Sequence, residues 1–328
     1  MTSPAPEPAR ADLVLEGGGV KGVALVGAVE ELVASGYRFE RVAGTSAGAI
    51  TGAVIAALTS AGEPLSNLTD IARTLDFSKL NERGPIGKLL GPLGRIADIV
   101  NLIRTGGFHS GDYMRDWLAG VLRDLGIITF GDLRREDRYP GLPRGRDYGF
   151  VAVTSDISDH RLTFLPWDYQ RYGLEPDEQP VADAVRASAS MPFIFRPARM
   201  PTPRGEATLV DGGILSNYPI TIFDQPDELT PRWPTIGVRL SPRQSNHMPV
   251  HPVRGPIRLA VAIIETAMDG WDARNIDTPR VQESTIFVDT GQLSALDFDI
   301  SADTRDKLRD SGRSAAHDWL THKTAVPE

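Results

Sequence analysis

The stretch Gly44-Thr45-Ser46-Ala47-Gly48 decides how this chain is read. It follows a short β-type run at residues 39–43 and precedes an apolar segment with helical spacing at residues 50–58. A G-x-S-x-G pentapeptide between a strand and a helix is the setting of a nucleophile elbow. Gly44 and Gly48 let the chain bend sharply enough to raise Ser46 above a sheet edge, where a side chain would collide with the neighbouring strand or helix. The helix that follows aims its first amides at the serine and favours negative charge there. Alone the pentapeptide is a weak signal, so its weight depends on its surroundings.

Upstream, residues 12–15 read as a buried first strand ending in Glu16-Gly17-Gly18-Gly19-Val20-Lys21-Gly22. Residues 23–34 carry helical spacing, with Gly36 as the C-terminal cap. Residues 12–58 therefore make a β-α-β-α start, which argues for a parallel sheet. The glycine run admits three readings. Gly17, Gly19 and Gly22 fit the dinucleotide pattern G-x-G-x-x-G, but that fold wants an acid at the end of the second strand, which here ends in Ala43-Gly44-Thr45-Ser46. A tight strand-to-helix turn would need only glycine. An oxyanion hole would use backbone amides, unshielded by side chains, against a carbonyl attacked by Ser46. Loops after the first and second strands are neighbours at one sheet edge, so both could reach one atom. Lys21 either adds positive charge there or is a solvated residue at a helix start.

Downstream, residues 65–75 read as a helix. Residues 76–107 are rich in glycine and proline around an amphipathic patch at 86–103. That region is either an ordinary packed excursion or a cap, over residues 76–110, with an apolar face for acyl chains or a membrane surface. A helix is expected at 113–125, a charged surface connection at 132–147, and a hairpin from strands at 149–155 and 162–166. Residues 180–190 form a helix of small residues running into Met191-Pro192-Phe193-Ile194-Phe195, whose aromatics pack in the core or line an acyl pocket. A strand at 207–210 ends in Asp211-Gly212-Gly213, which leaves a carboxylate at a sheet edge or makes an Asp-Gly hairpin turn. Strands at 235–240 and 284–289, with a helix at 257–271 between them, and a helix at 302–321 complete the chain.

The bulk numbers narrow the function classes. The 328 residues are 41% hydrophobic and 24% charged, an ordinary soluble globular balance. A net charge of -8 speaks against nucleic acid as a partner. There is no cysteine, which excludes disulfides and thiolate chemistry. The histidines at 109, 160, 247, 251, 317 and 322 lack metal-ligand spacing, so no metal is expected. No charge occurs between Arg41 and Glu63, a length that could span a bilayer, yet glycine, serine and threonine dilute it and the elbow lies inside it. A buried helix explains it better. Residues 1–10 read as a disordered tail rather than a signal peptide, and residues 11–323 as one hydrolytic domain.

Three features thus stand in order: the glycine run at 17–22, the elbow at 44–48 and Asp211-Gly212-Gly213. Together they resemble the patatin-like phospholipases, which carry a G-G-G-x-K/R-G loop, a G-x-S-x-G elbow and a later D-G-A/G. Ala187-Ser188-Ala189-Ser190-Met191-Pro192 also looks like a recurring segment of that family. The resemblance covers roughly residues 12–240. It implies a three-layer α/β/α fold with a mostly parallel central sheet. It further implies a Ser-Asp dyad without histidine: Ser46 as nucleophile, Asp211 as base, and amides near Gly18, Gly19 and Val20, within the loop from Gly17 through Lys21 to Gly22, as oxyanion donors.

The implied activity is acyl-ester hydrolysis of phospholipids or lysophospholipids through an acyl-enzyme, with no cofactor. An exposed aspartate is a poor base, so burial should raise the pKa of Asp211. The expected setting is cytoplasmic, with transient contact to a membrane surface, and a homo-oligomer stays open. Three alternatives remain. An α/β-hydrolase triad would add His247 or His251 to Ser46 and Asp211, although that fold places its elbow after several strands. An acyltransferase of the related thioesterase-like fold would also bring a histidine. A catalytically silent lipid-binding scaffold would keep the fold alone.

Overall fold

A computed structural model describes residues 8–81, 106–135, 145–224, 233–240 and 278–325, with isolated positions between 253 and 266. The apolar runs become strands β1 (Ala9–Leu15), β2 (Tyr37–Thr45), β4 (Phe150–Asp156), β9 (Thr235–Arg239) and β10 (Thr285–Phe287), all mutually parallel where they pair. The remaining members, β5 (Arg161–Leu165), β7 (Ala198–Thr202) and β8 (Gly205–Asp211), join as antiparallel strands. Their spatial order is β10-β9-β1-β2-β4-β8-β7, with β5 also against β4. A short parallel pair, β3 (Gly107–His109) and β6 (Phe193–Phe195), stands apart.

Successive residues of the central strands are buried on both faces, as expected where a parallel sheet is covered twice. Leu13 and Leu15 enter one core, while Val14 between them enters another with Ala43 and Val151. Register explains the row, because Val14 pairs with Ala43 and Ala43 with Val151. The first core holds helices α1 (Val23–Ala34), α2 (Ala47–Ala61), α3 (Asn67–Arg73), α4 (Asp112–Asp124) and α5 (Val181–Ser188), with Leu308 and Ala316 of α7 (Ala302–Ala325). The second is covered by Tyr218, Ile220, Phe223 and by Val281 of the short helix α6 (Pro279–Ser284). The result is the expected layered α/β arrangement with a mostly parallel sheet.

The uncharged stretch between Arg41 and Glu63 becomes the end of β2 and helix α2. From Ala47 to Leu58 every residue of that helix except Ile50 is buried. A helix apolar all round is a core helix here, and no helix among the described residues is long and apolar enough to cross a membrane.

Three differences from the sequence expectations have physical reasons. Ala9 and Arg10, assigned to a disordered tail, pair with Tyr37 and Arg38 and extend β1. The strand that ends at Asp211 is antiparallel, because it folds back on Ala198–Thr202 as a hairpin. The segment at 193–195, to which no element was assigned, forms a short strand that pairs with 107–109. The patch at 86–103, most of the helix expected at 257–271, and both His247 and His251 lie outside the described residues.

The geometry of β4 matters most for the site. Its residues 150–153 pair with β2, 154–156 with β8, and 152–156 with β5. A strand has two edges, and β5 overlaps both other partners, so β2 and β8 share one edge end to end. They run toward each other along it. Thr45 pairs with Val153 and Asp211 with the next residue, Thr154.

Candidate active site

Ser46 is the first residue past β2 and caps α2 with φ 52° and ψ -118°. This is a sparsely populated conformation for a residue with a side chain, costing on the order of 1–3 kcal/mol, and such strain collects at functional sites. The flanking glycines make the bend sterically feasible. A Cβ on Gly44 would stand 2.2 Å from the Gly48 carbonyl oxygen, and one on Gly48 would stand 2.3 Å from that of Leu15. The elbow is therefore packed directly against β1 at the point where the glycine loop begins.

Two serines of α5 and the segment after it hold the meeting point together. The Ser46 amide donates to Ser188 Oγ at 3.0 Å, and that hydroxyl donates to the Val153 carbonyl at 2.6 Å. The Asp211 amide donates to the Ser190 carbonyl at 2.9 Å. The small residues foreseen at 180–190 are thus those that fit between elbow and aspartate.

Asp211 is 2% exposed. Its Oδ1 accepts the Gly213 amide at 2.8 Å, and its carboxylate also accepts the Ser46 hydroxyl. Burial pushes its pKa up to about 6, against the opposing effect of those two donors. The Asp-Gly pair does not make a hairpin turn. Asp211 caps a short 3-10 turn, Gly212–Ile214.

The glycine loop divides into structural and exposed parts. Gly17 is clamped: its amide donates to the Asn217 carbonyl, and its carbonyl accepts Asn217 Nδ2, both at 3.1 Å. The Val20 amide donates to the Ala295 carbonyl at 3.1 Å, and the Lys21 amide to the Gly18 carbonyl at 3.1 Å. Gly22 packs against Ala47. Gly18 and Gly19 line the cavity that holds Ser46 and Asp211, and Lys21 does not. Gly19 has φ +55°, and a Cβ there would meet the Ala295 carbonyl oxygen at 2.0 Å. Buried Glu16 steadies the loop from behind by accepting Arg239 Nε at 3.2 Å and the Leu240 amide.

The rest of the cavity is apolar, with Ile50, Leu75, Phe77, Met114, Phe195 and Phe298 among its walls. Its one basic lining residue among those described is Arg186. Sequence reasoning missed Arg186, Ser188, Asn217 and Glu16 as parts of the site. An arginine in a helix of mostly small residues, four positions before Ser190, was the available signal for Arg186. Nothing local marks Asn217 or Glu16, since each acts on a residue distant in sequence or through a neighbouring strand.

Among the described residues no group of three or more histidines and acids could hold a metal ion. The loop, elbow and aspartate make one pocket in which a hydroxyl touches a buried carboxylate beside two cavity-lining amide-bearing glycines. That arrangement suits attack on an acyl carbonyl.

The family model described as patatin-like phospholipase matches residues 13–224, which includes the loop, the elbow and Asp211. The chain is similar to protein YqhO of Bacillus subtilis, 38% identical over 313 residues that cover 95% of this chain and 99% of that one. It is also similar to the NTE family protein Mb2594 of Mycobacterium bovis, 29% identical over 211 residues, 64% of this chain and 27% of that protein. Among solved structures, VipD from Legionella pneumophila aligns with a TM-score of 0.51 at 18% identity, covering 97% of this chain and 67% of that one, a likeness of fold. On the match across residues 13–224 and the near full-length relative, this chain belongs to the patatin-like phospholipase family.

Proposed function

We propose that the chain is a serine acyl hydrolase acting on phospholipids or lysophospholipids through a Ser46-Asp211 dyad. The observation that carries this reading is the buried Asp211 carboxylate in contact with the Ser46 hydroxyl, with its pKa raised to about 6. A base poised near neutral pH is better matched to general-base work than an exposed aspartate.

The steps follow from the contacts. Asp211 takes the proton of Ser46 Oγ as that oxygen attacks the ester carbonyl. The resulting oxyanion faces the Gly18 and Gly19 amides, which precede the internal hydrogen bonds of the 3-10 turn at Gly19–Gly22. The Ser46 amide is occupied by Ser188, so it is not the donor. The first turn of α2 adds its dipole. Collapse expels the alcohol, which takes the proton from Asp211, and leaves acyl-Ser46. Water then attacks that ester with the same base, releasing the fatty acid. The apolar walls receive the acyl chain. The substrate reaches the site from a lipid surface, and residues 11–323 act as one unit.

Intact-mass analysis after a fluorophosphonate probe tests the dyad. One adduct is expected on the wild type, none on Ser46→Ala, and strongly slowed labelling on Asp211→Asn. Release of fatty acid from phosphatidylcholine and lysophosphatidylcholine vesicles then tests the substrate. An adduct that persists in Ser46→Ala would move the nucleophile elsewhere. An unlabelled wild type, with vesicles present, would leave a silent lipid-binding scaffold.

A further inference from the structure

Arg186 is unusual among the walls of this cavity. Helix α5 is built of valine, alanine and serine, with Asp183 and Arg186 as its charged members. Asp183 is exposed and pairs with Arg115 at 2.6 Å. Arg186 turns inward, and it and Asp211 are the charged residues among the described cavity walls. Its guanidinium has no carboxylate within ion-pair reach among the described residues. Nη1 donates to Ser190 Oγ at 2.9 Å and Nη2 to the Ser110 carbonyl. Asp112 and Asp183 act on it only through space, Arg196 opposes them, and burial lowers its pKa.

A partly desolvated cation without a direct counter-ion is costly unless something supplies one. The guanidinium fork is suited to a bidentate phosphate. Its position is also fixed relative to the base. Ser190, whose hydroxyl it holds, gives its own carbonyl to the Asp211 amide at 2.9 Å. The cation is therefore anchored to the same backbone that anchors Asp211, at the wall of the cavity where the scissile ester would lie.

We propose that Arg186 is a specificity-determining residue that receives the phosphate of a phosphoglyceride while Ser46 attacks its acyl ester. This rests on the dyad reading above for the attack, and on Arg186's own contacts for the phosphate. The competing role is a staple that ties α5 to the Ser110 turn, which would affect every substrate alike.

The test has a turnover arm and a binding arm. In the first, kcat and KM are measured for lysophosphatidylcholine and for a monoacylglycerol of the same chain, in micelles of one neutral detergent. The ratio of kcat/KM, phosphate-bearing over neutral, is expected to fall about 10- to 100-fold in Arg186→Gln, mainly through KM, and to recover in part in Arg186→Lys. In the second, calorimetry compares hexadecylphosphocholine with a neutral hexadecyl glycol ether, using wild type and Arg186→Gln without turnover. At least tenfold tighter binding of the phosphate amphiphile by wild type is expected, and that preference should vanish in the variant. Equal binding of the two amphiphiles by wild type, or an unchanged substrate ratio in Arg186→Gln, would overturn the phosphate subsite even if the variant were poorly folded in one assay. If turnover is absent while the binding preference persists, the dyad reading falls and the phosphate subsite stands.

Discussion

The two halves of the sheet deliver their chemistry in opposite ways. The parallel half carries Ser46 on a strained elbow, φ 52° and ψ -118°, wedged against β1 by two glycines. The antiparallel half carries Asp211 in a relaxed extended conformation, φ -50° and ψ 132°, held by backbone pairing with Thr154 and by the Ser190 carbonyl. Strain sits at Ser46 itself on one side and is absent from Asp211 on the other. Ser46 is placed by a tight bend packed against β1, and Asp211 by strand pairing. One side should therefore break by adding a single carbon, and the other by changing charge without moving the chain.

The largest effect is expected from Asp211→Asn, which keeps shape and removes the base. The rate of ester hydrolysis should fall on the order of 10³–10⁴-fold, while circular dichroism stays native. A loss below tenfold in initial-rate assays would mean that the carboxylate does not serve Ser46 as base. Gly48→Ala attacks the other half. Its methyl would enter the space of the Leu15 carbonyl, so activity should drop about 100-fold or more, with a lowered midpoint of thermal unfolding. Full activity in that variant would show that the elbow can relax, and the contrast between the halves would disappear.

The third prediction concerns pH. With a folded pKa raised from 3.8 to about 6, Asp211 prefers to be protonated in the native state. The associated stability is fully present below about pH 4 and is lost as pH rises through about 6. The ionised carboxylate then costs about 3 kcal/mol. Asp211→Asn should therefore be more stable than wild type at pH 8 and level with it at pH 3.5, read as denaturant midpoints. The wild-type kcat/KM should show an acid limb with its midpoint near 6, and a limb near 4 would contradict the burial argument. The smallest effect belongs to Ser188→Ala, which removes the hydroxyl between the Ser46 amide and the Val153 carbonyl. A loss of about tenfold in rate is expected. It should be larger than for Ser60→Ala, a remote exposed hydroxyl bonded to a surface carbonyl.

The same contrast explains what could be read from the residues alone. The elbow and glycine loop are legible because their steric demands are local: a strand, glycines at fixed spacing, a helix. Gly17, Gly18 and Gly19 were seen as one loop, yet only their partners separate the clamped Gly17 from the cavity-lining pair, and Asn217 and Ala295 lie far along the chain. Asp211 was legible as an acid between a strand and two glycines. The direction of its strand was not, because the hairpin partner at Ala198–Thr202 is short and carries Pro201, which interrupts a strand signal. Arg186 was hidden by its helix, whose small residues drew attention to packing. A lone arginine turning inward is a matter of which face the helix buries, and that depends on α4 and the Ser110 turn.

The junction on Val153 and Thr154 has a consequence for how the cell makes this protein. Ser46 emerges from the ribosome early, with the residues of its elbow and glycine loop, yet it does not meet Asp211 until β4 has been synthesised and β8 has folded back onto it. The Leu240 contact that braces Gly18 comes later still. Long-range pairings of this kind form slowly and late. A nascent chain that ends before β8 would carry Ser46 without Asp211, so on the dyad proposed above it should hydrolyse no ester.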